Sequence, residues 1–125
     1  MNSKGEAIIA KLLTESNISF CKQITFENLK SESNKPYAFD FAVLKDGVVY
    51  YLIEFDGIQH FDPNHQFGGK FDVFSKIQLR DTIKNNWCAQ QNIPWIRIRY
   101  TKLETLTIND LLLETSKYIV KGEVM

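Results

Sequence analysis

The sequence holds 125 residues, 44% of them hydrophobic, with fifteen Lys and Arg balanced by fifteen Asp and Glu. That length and apolar content suit one compact domain with its own core, since domains usually hold roughly 100–150 residues. The zero net charge excludes a strongly basic, tail-driven nucleic-acid binder though not a local basic face, and no apolar run approaches the 18 or so residues of a membrane span.

In chain order, Ser3 followed by Glu6 reads as a capping-box helix start, and Ile8, Ile9, Leu12 and Leu13 form one apolar stripe that ends at Asn17. Segment 18–26 alternates loosely and reads as a strand; 27–36, with Ser31, Ser33, Asn34 and Pro36, reads as a loop. Tyr37–Leu44 and Val48–Asp56 are rich in aromatic and β-branched residues and predict two strands joined by an Asp46-Gly47 hairpin. Residues 61–71, with Pro63, Gly68 and Gly69, read as a mobile loop. Asp72 then caps a long helix to about Gln91, and Pro94 opens a strand, Trp95–Tyr100, with Arg97 and Arg99 on one face. Thr107 with Asp110 resembles another helix start, predicting a last helix over Leu111–Val120. This order predicts a single α+β domain over residues 1–125, with a central mixed sheet of about four strands flanked by helices.

The stretch that carries chemistry is Phe39-Asp40-Phe41 followed by Ile53-Glu54-Phe55-Asp56-Gly57-Ile58-Gln59-His60. An unpaired charge costs several kcal/mol to desolvate, so three carboxylates in two apolar strands require a partner. A divalent cation is one, and hard oxygen ligands suit Mg²⁺. A two-residue Asp46-Gly47 turn places Asp40 opposite Ile53 and turns Glu54 to the other face of the sheet. A three-residue Lys45-Asp46-Gly47 loop with a bulge places Asp40 opposite Leu52, so that Asp40, Glu54 and Asp56 share a face. The second register is the expected one, because one cation then serves the cluster. Taken singly, each residue has a plainer reading: Glu6 as a capping acid, Asp40 as an edge residue, Asp56-Gly57 as a turn and Gln59-His60 as its exposed continuation.

On the long helix, Val73, Ile77, Asp81, Lys84 and Cys88 fall on one face. Lys84 there is read either as a phosphate- or water-steadying group or as half of an Asp81–Lys84 ion pair. Between Lys70 and Lys102 seven basic residues (Lys70, Lys76, Arg80, Lys84, Arg97, Arg99, Lys102) face only Asp72 and Asp81. A basic surface beside carboxylates suits a polyanion whose phosphate is brought to a metal. His65 reads as exposed, and His60, His65 and a cysteine lack zinc-ligand spacing. Cys21 and Cys88 lie far apart in no metal or redox spacing and read as reduced thiols of a cytoplasmic protein. The N-terminal residues lead into an amphipathic stretch and not a secretory signal.

In this order and spacing the pieces resemble the PD-(D/E)xK nuclease superfamily, and within it the branch of very-short-patch repair endonucleases and phage homing endonucleases with a Glu-Asp-x-His-Asp signature. The resemblance covers nearly the whole chain: Ser3-x-Gly5-Glu6, Phe39-Asp40-Phe41, Ile53-Glu54-Phe55-Asp56-Gly57-x-Gln59-His60-Phe61, Asp81-x-x-Lys84-Asn85 and the Ile93–Tyr100 strand. It implies a restriction-endonuclease-like core and a role for Glu6 as the helix-borne acid and Asp40 as the central metal-binding aspartate. It further implies His60 as general base or water-orienting group and Asp81 as the acid supporting it. The variable position falls near Phe55, where the family coordinates metal through a backbone carbonyl as an alternative to Glu54. The superfamily's lysine would stand where Asp56 stands, so Lys84 or His60 takes over its work.

The expectation is a small Mg²⁺-dependent DNA endonuclease, with Mn²⁺ as the alternative ion, homing-like or mismatch-nicking, in a bacterial or phage-infected cell. Glu6, Asp40, His60, Asp81 and Lys84 are the expected catalytic residues, and Asp40, Glu54 and Asp56 the metal ligands. Double-stranded DNA would be held by Lys70, Lys76, Arg80, Arg97 and Arg99, with specificity from loops, a homodimer or a partner protein. The alternatives are a restriction- or resolvase-type nuclease, or a catalytically silent DNA-binding module.

Overall fold

The computed structural model describes residues 3–57 and 71–120, with side chains from residue 75 onward in the second stretch. The elements run α1 (Lys4–Glu15), β1 (Phe20–Lys30), β2 (Pro36–Lys45), β3 (Val48–Asp56), α2 (Phe71–Gln91), β4 (Trp95–Arg99), two 3-10 turns (Tyr100–Thr105 and Ile108–Leu111) and β5 (Ile119–Val120). They form one mixed sheet in the order β1-β2-β3-β4-β5. β3 and β4 are parallel, and the other neighbours are antiparallel. The fold is therefore α+β, with α2 as the crossover between the two parallel strands.

α1 starts and both helices stop where their sequence says, while α2 begins at Phe71, so that Asp72, the expected cap, lies inside it. The Ser3 side chain accepts from Glu6 N–H at 3.1 Å, capping α1. Both helices end in a left-handed asparagine, Asn17 (φ 57°) and Asn92 (φ 57°). After each, the next residue's N–H reaches back to the helix, Ile18 to Leu13 and Ile93 to Cys88, each at 3.0 Å. This is the Schellman closure, which satisfies carbonyls that a helix end leaves orphaned.

Two cores form, one on each side of the sheet. Ile9 and Leu13 of α1 pack on Phe41, Val43, Tyr51, Ile53, Ile96, Ile98 and Leu111. Trp87 and Cys88 of α2 pack on Leu29, Phe39, Ala42, Leu52 and Trp95. In β3, Tyr51 and Ile53 face α1 while Leu52 faces α2, the alternation expected of a strand covered on both sides. In β2 the alternation slips. Phe39 and Phe41 are two residues apart yet lie in opposite cores. The slip is centred on Asp40.

Three expectations are corrected. The β2–β3 turn is the two-residue one, with Lys45 paired to Val48 and both Asp46 (φ 54°) and Gly47 (φ 78°) left-handed. A bulge at Tyr50 then moves the register, pairing Val43 with Tyr51 and Phe41 with Ile53. Asp40 therefore comes level with Glu54, opposite neither Leu52 nor Ile53. Secondly, the predicted Leu111–Val120 helix does not form. The Thr107/Asp110 capping box is present but closes only a 3-10 turn, and the chain returns as β5 beside β4, making five strands. Thirdly, β1 runs on to Lys30, through four residues read as loop, where Leu29 is buried in the α2-side core.

Candidate active site

The site lies where β2 and β3 part at the C-terminal end of β3. One step beyond the Phe41–Ile53 pair, side chains replace main-chain partners. Asp40 N–H donates to Glu54 Oε1 at 2.9 Å, and Phe55 N–H donates to Asp40 Oδ2 at 2.8 Å. Two carboxylates thus stitch the diverging strands, which follows from the slipped pleat that turns Asp40 toward β3.

Glu54, Asp56 and Lys84 are 5%, 2% and 4% exposed. Their charges are met within the chain. Lys84 Nζ reaches Glu54 Oε2 at 2.6 Å and the Ala38 carbonyl at 2.6 Å, and it lies 4.9 Å from the centre of the Phe39 ring. Burial pushes the Glu54 carboxyl upward, while the Lys84 ammonium pulls it back. Arg97 donates to both oxygens of Asp56 at 2.8 Å and to Asp81 Oδ2 at 2.9 Å, with its guanidinium over the Trp95 ring. Burial opposes the charge on Arg97, but the two carboxylates more than offset it and hold the guanidinium protonated.

These pairings set cations of the chain itself beside two of the expected metal ligands. Glu54 and Asp56 were expected to need a divalent cation, and the cations they have are Lys84 and Arg97. Lys84 pairs with Glu54 and not with Asp81, and Asp81 joins Arg97. Arg97, expected on the DNA-holding surface, is turned inward to tie β3, β4 and α2 together.

Glu6 and Asp40 are different. Gly5 of α1 is buried against the Phe55 ring, which brings Glu6 to the same end of the sheet as Asp40. One amide bridges the two carboxylates, Gln23 Nε2 lying 3.4 Å from both Glu6 Oε1 and Asp40 Oδ1. Among the described residues neither acid has an ion pair. Burial raises the Asp40 carboxyl, the Phe55 N–H lowers it, the nearby Glu6 charge raises it again, and the Lys84 charge and the Gln23 amide lower it; the net direction is upward. Two hard carboxylates that repel each other, pinned by neutral donors, match the donor chemistry of a Mg²⁺ site. Comparison with protein families, curated proteins and solved structures finds no match.

Other expected residues fall in several places. His60 and Lys70 lie outside the described residues, as does His65. Lys76 is exposed and Arg80 half-buried on α2, beside Leu79, which is 60% exposed; Arg99 is exposed at the end of β4. Among the described residues no group of three or more His, Cys, Asp or Glu gathers as a metal site, and no helix is long and apolar enough to cross a membrane. Cys21 and Cys88 are free thiols, Cys88 buried. Sequence reasoning missed Gln23. The available signal was Lys22-Gln23, two polar residues in succession, with Lys22 standing where the alternation of segment 18–26 calls for an apolar one.

Proposed function

We propose that this chain is a small metal-dependent endonuclease that hydrolyses phosphodiester bonds in double-stranded DNA, homing-like or mismatch- or site-specific nicking, on a restriction-endonuclease-like core. The observation that carries this reading is the Glu6–Asp40 pair. The neighbouring acids Glu54, Asp56 and Asp81 receive a cationic side chain, and these two receive only neutral donors. Asp40 and Glu6 are the residues that would hold the ion, and Glu54 and Asp56 serve the frame behind them.

A Mg²⁺ ion bound there supplies charge to a scissile phosphate and acidity to a water. The chain's own residues do the rest. Phe55 N–H fixes Asp40 Oδ2, so the carboxylate keeps one orientation. Lys84 fixes Glu54, and Glu54 in turn anchors the main chain of Asp40. Arg97 locks Asp56 and Asp81 against each other across β3 and α2. His60, four residues beyond Asp56, takes the part of the general base in this reading, since an imidazole with unperturbed pKa near 6.5 accepts a proton around neutrality. Lys76, Arg80 and Arg99 supply the phosphate-backbone contacts, a sequence-independent term.

The test is nicking of supercoiled plasmid with Mg²⁺ against the same reaction in EDTA. Mg²⁺-dependent conversion to the open circle is expected, lost in Asp40→Ala and in Glu6→Gln. Full Mg²⁺-dependent cleavage by Asp40→Ala overturns this reading, and no cleavage of any plasmid substrate by the folded protein favours the silent DNA-binding module.

A further inference from the structure

Five described non-glycine residues have positive φ: Asn17, Gln23, Asn34, Asp46 and Asn92. Four are Asn or Asp at helix ends or turns, where those side chains tolerate the left-handed region. Gln23 (φ 54°) is the exception in both respects, being a longer side chain and inside a strand. It falls between the Lys22–Phe41 and Ile24–Phe39 pairs, so it stands opposite Asp40. At that point β1 changes face as β2 does: Phe20 packs on the α1-side core, and Ile24 and Phe26 pack on the α2-side core. No bulge is inserted there, because the register is the same on both sides. The backbone is held in an uncommon conformation at an exposed position, and the result is that the Gln23 amide reaches Glu6 and Asp40 together.

Resting on the endonuclease reading above, we propose that Gln23 is a positioning residue of the ion site: its amide keeps Glu6 and Asp40 together in the ion-free protein and turns its oxygen to the divalent cation when one binds. An amide carries two N–H donors and an acceptor oxygen on one planar group. A half-turn of that group replaces the donors by an oxygen without moving the backbone. The donors hold two repelling carboxylates to one nitrogen, 3.4 Å from each, and the oxygen is of the hard type that Mg²⁺ and Mn²⁺ accept. Strained backbone retained at an exposed site is the pattern found where geometry serves function. A side chain present only for stability would instead be replaced with profit by glycine, which takes positive φ freely.

The experiment titrates the full chain with Mn²⁺, following free ion by electron paramagnetic resonance, and records thermal melts without added metal. The variants are Gln23→Gly, Gln23→Lys and Asp40→Asn. Wild type is expected to bind Mn²⁺ and Asp40→Asn to lose it. Gln23→Gly melts no lower than wild type yet binds Mn²⁺ on the order of tenfold more weakly, the low end of the loss when a group supporting metal ligands is removed. Gln23→Lys tethers an ammonium between the carboxylates, melts higher without metal and excludes Mn²⁺. If both Gln23 variants bind Mn²⁺ as wild type does while Asp40→Asn does not, the role of Gln23 is overturned and the ion site stands. A lower melt for Gln23→Gly makes the residue structural and also overturns the proposal. If Asp40→Asn binds like wild type, or wild type binds no Mn²⁺, the endonuclease reading itself fails.

Discussion

Lys84→Met removes the ammonium from a pair that is buried on both sides, the side chains of Lys84 and Glu54 being only 5% and 7% exposed. Glu54 is left with the Asp40 N–H as its remaining described donor. Stranding one member of a buried pair typically costs about 3–5 kcal/mol, and the lost bond to the Ala38 carbonyl is worth about 1 kcal/mol of the same order. A domain of this length is stabilised by roughly 6–19 kcal/mol at 0.05–0.15 kcal/mol per residue, so the loss is a large share of the total. The stranded carboxyl escapes part of the cost by taking a proton. Its folded pKa is already raised by burial, so the native state binds more protons than the unfolded chain just above the ordinary carboxylate range. Stability then falls as pH rises through that interval, and the Lys84→Met deficit is larger at pH 7.5 than at pH 5. Urea titrations at the two pH values measure this directly. Glu54→Gln in the Lys84→Met background keeps an acceptor for the Asp40 N–H without the charge and recovers at least half of the deficit at pH 7.5. A single-variant deficit below about 1 kcal/mol, the scale of an exposed pair, refutes the reasoning, as does a deficit no smaller at pH 5.

Three further outcomes follow from single contacts. Gly5→Ala places a methyl within 2.6 Å of three carbons of the Phe55 ring; despite the better helix propensity of alanine, it lowers the melting temperature, since overpacking typically costs about 1–3 kcal/mol, and Phe55→Ala added to it relieves the clash. Tyr51 donates to the Leu111 carbonyl at 2.7 Å, and burial pushes its hydroxyl up to about 12. It therefore ionises above the ordinary tyrosine value in an ultraviolet titration, and stability declines as pH rises from that value toward 12, because the folded state keeps the proton longer; Tyr51→Phe costs about 1–3 kcal/mol through the stranded buried carbonyl. Burial likewise pushes the Cys88 thiol up to about 12, so iodoacetamide at pH 8 modifies half-buried Cys21 first and reaches Cys88 only on unfolding, as peptide mass spectrometry would show; equal rates on the folded protein contradict this.

Much of the architecture was legible in the residues. The β3 boundaries, the Ser3 cap, the Asn17 stop and the length of α2 are short-range matters of propensity, capping and alternation, and they stand as read. So does the inward face of α2, with Ile77, Lys84 and Cys88 buried. The charged strand residues also announced that they needed partners. Which partner each one took was not legible, because Lys84 meets Glu54 across 30 residues and Arg97 meets Asp56 across 41. Two cations within the chain, Lys84 and Arg97, stand beside acids for which composition and spacing had named only a metal as partner.

The amino-acid order by itself determined the types of the first helix, the β2–β3 hairpin, α2 and β4, a domain able to bury two apolar faces, and a zero net charge that conceals local clusters of both signs. Tertiary structure alone decided the Tyr50 bulge, the pleat slip at Gln23 and Asp40, and the strand at Ile119–Val120 in place of a helix. The physical reason is one of range: a side chain's own backbone preference acts over a turn or two, whereas register and charge pairing are settled by whichever strand and helix come to lie alongside. At this end of the sheet that settlement satisfies Glu54, Asp56 and Asp81 with cations and leaves Glu6 and Asp40 bridged by a neutral amide.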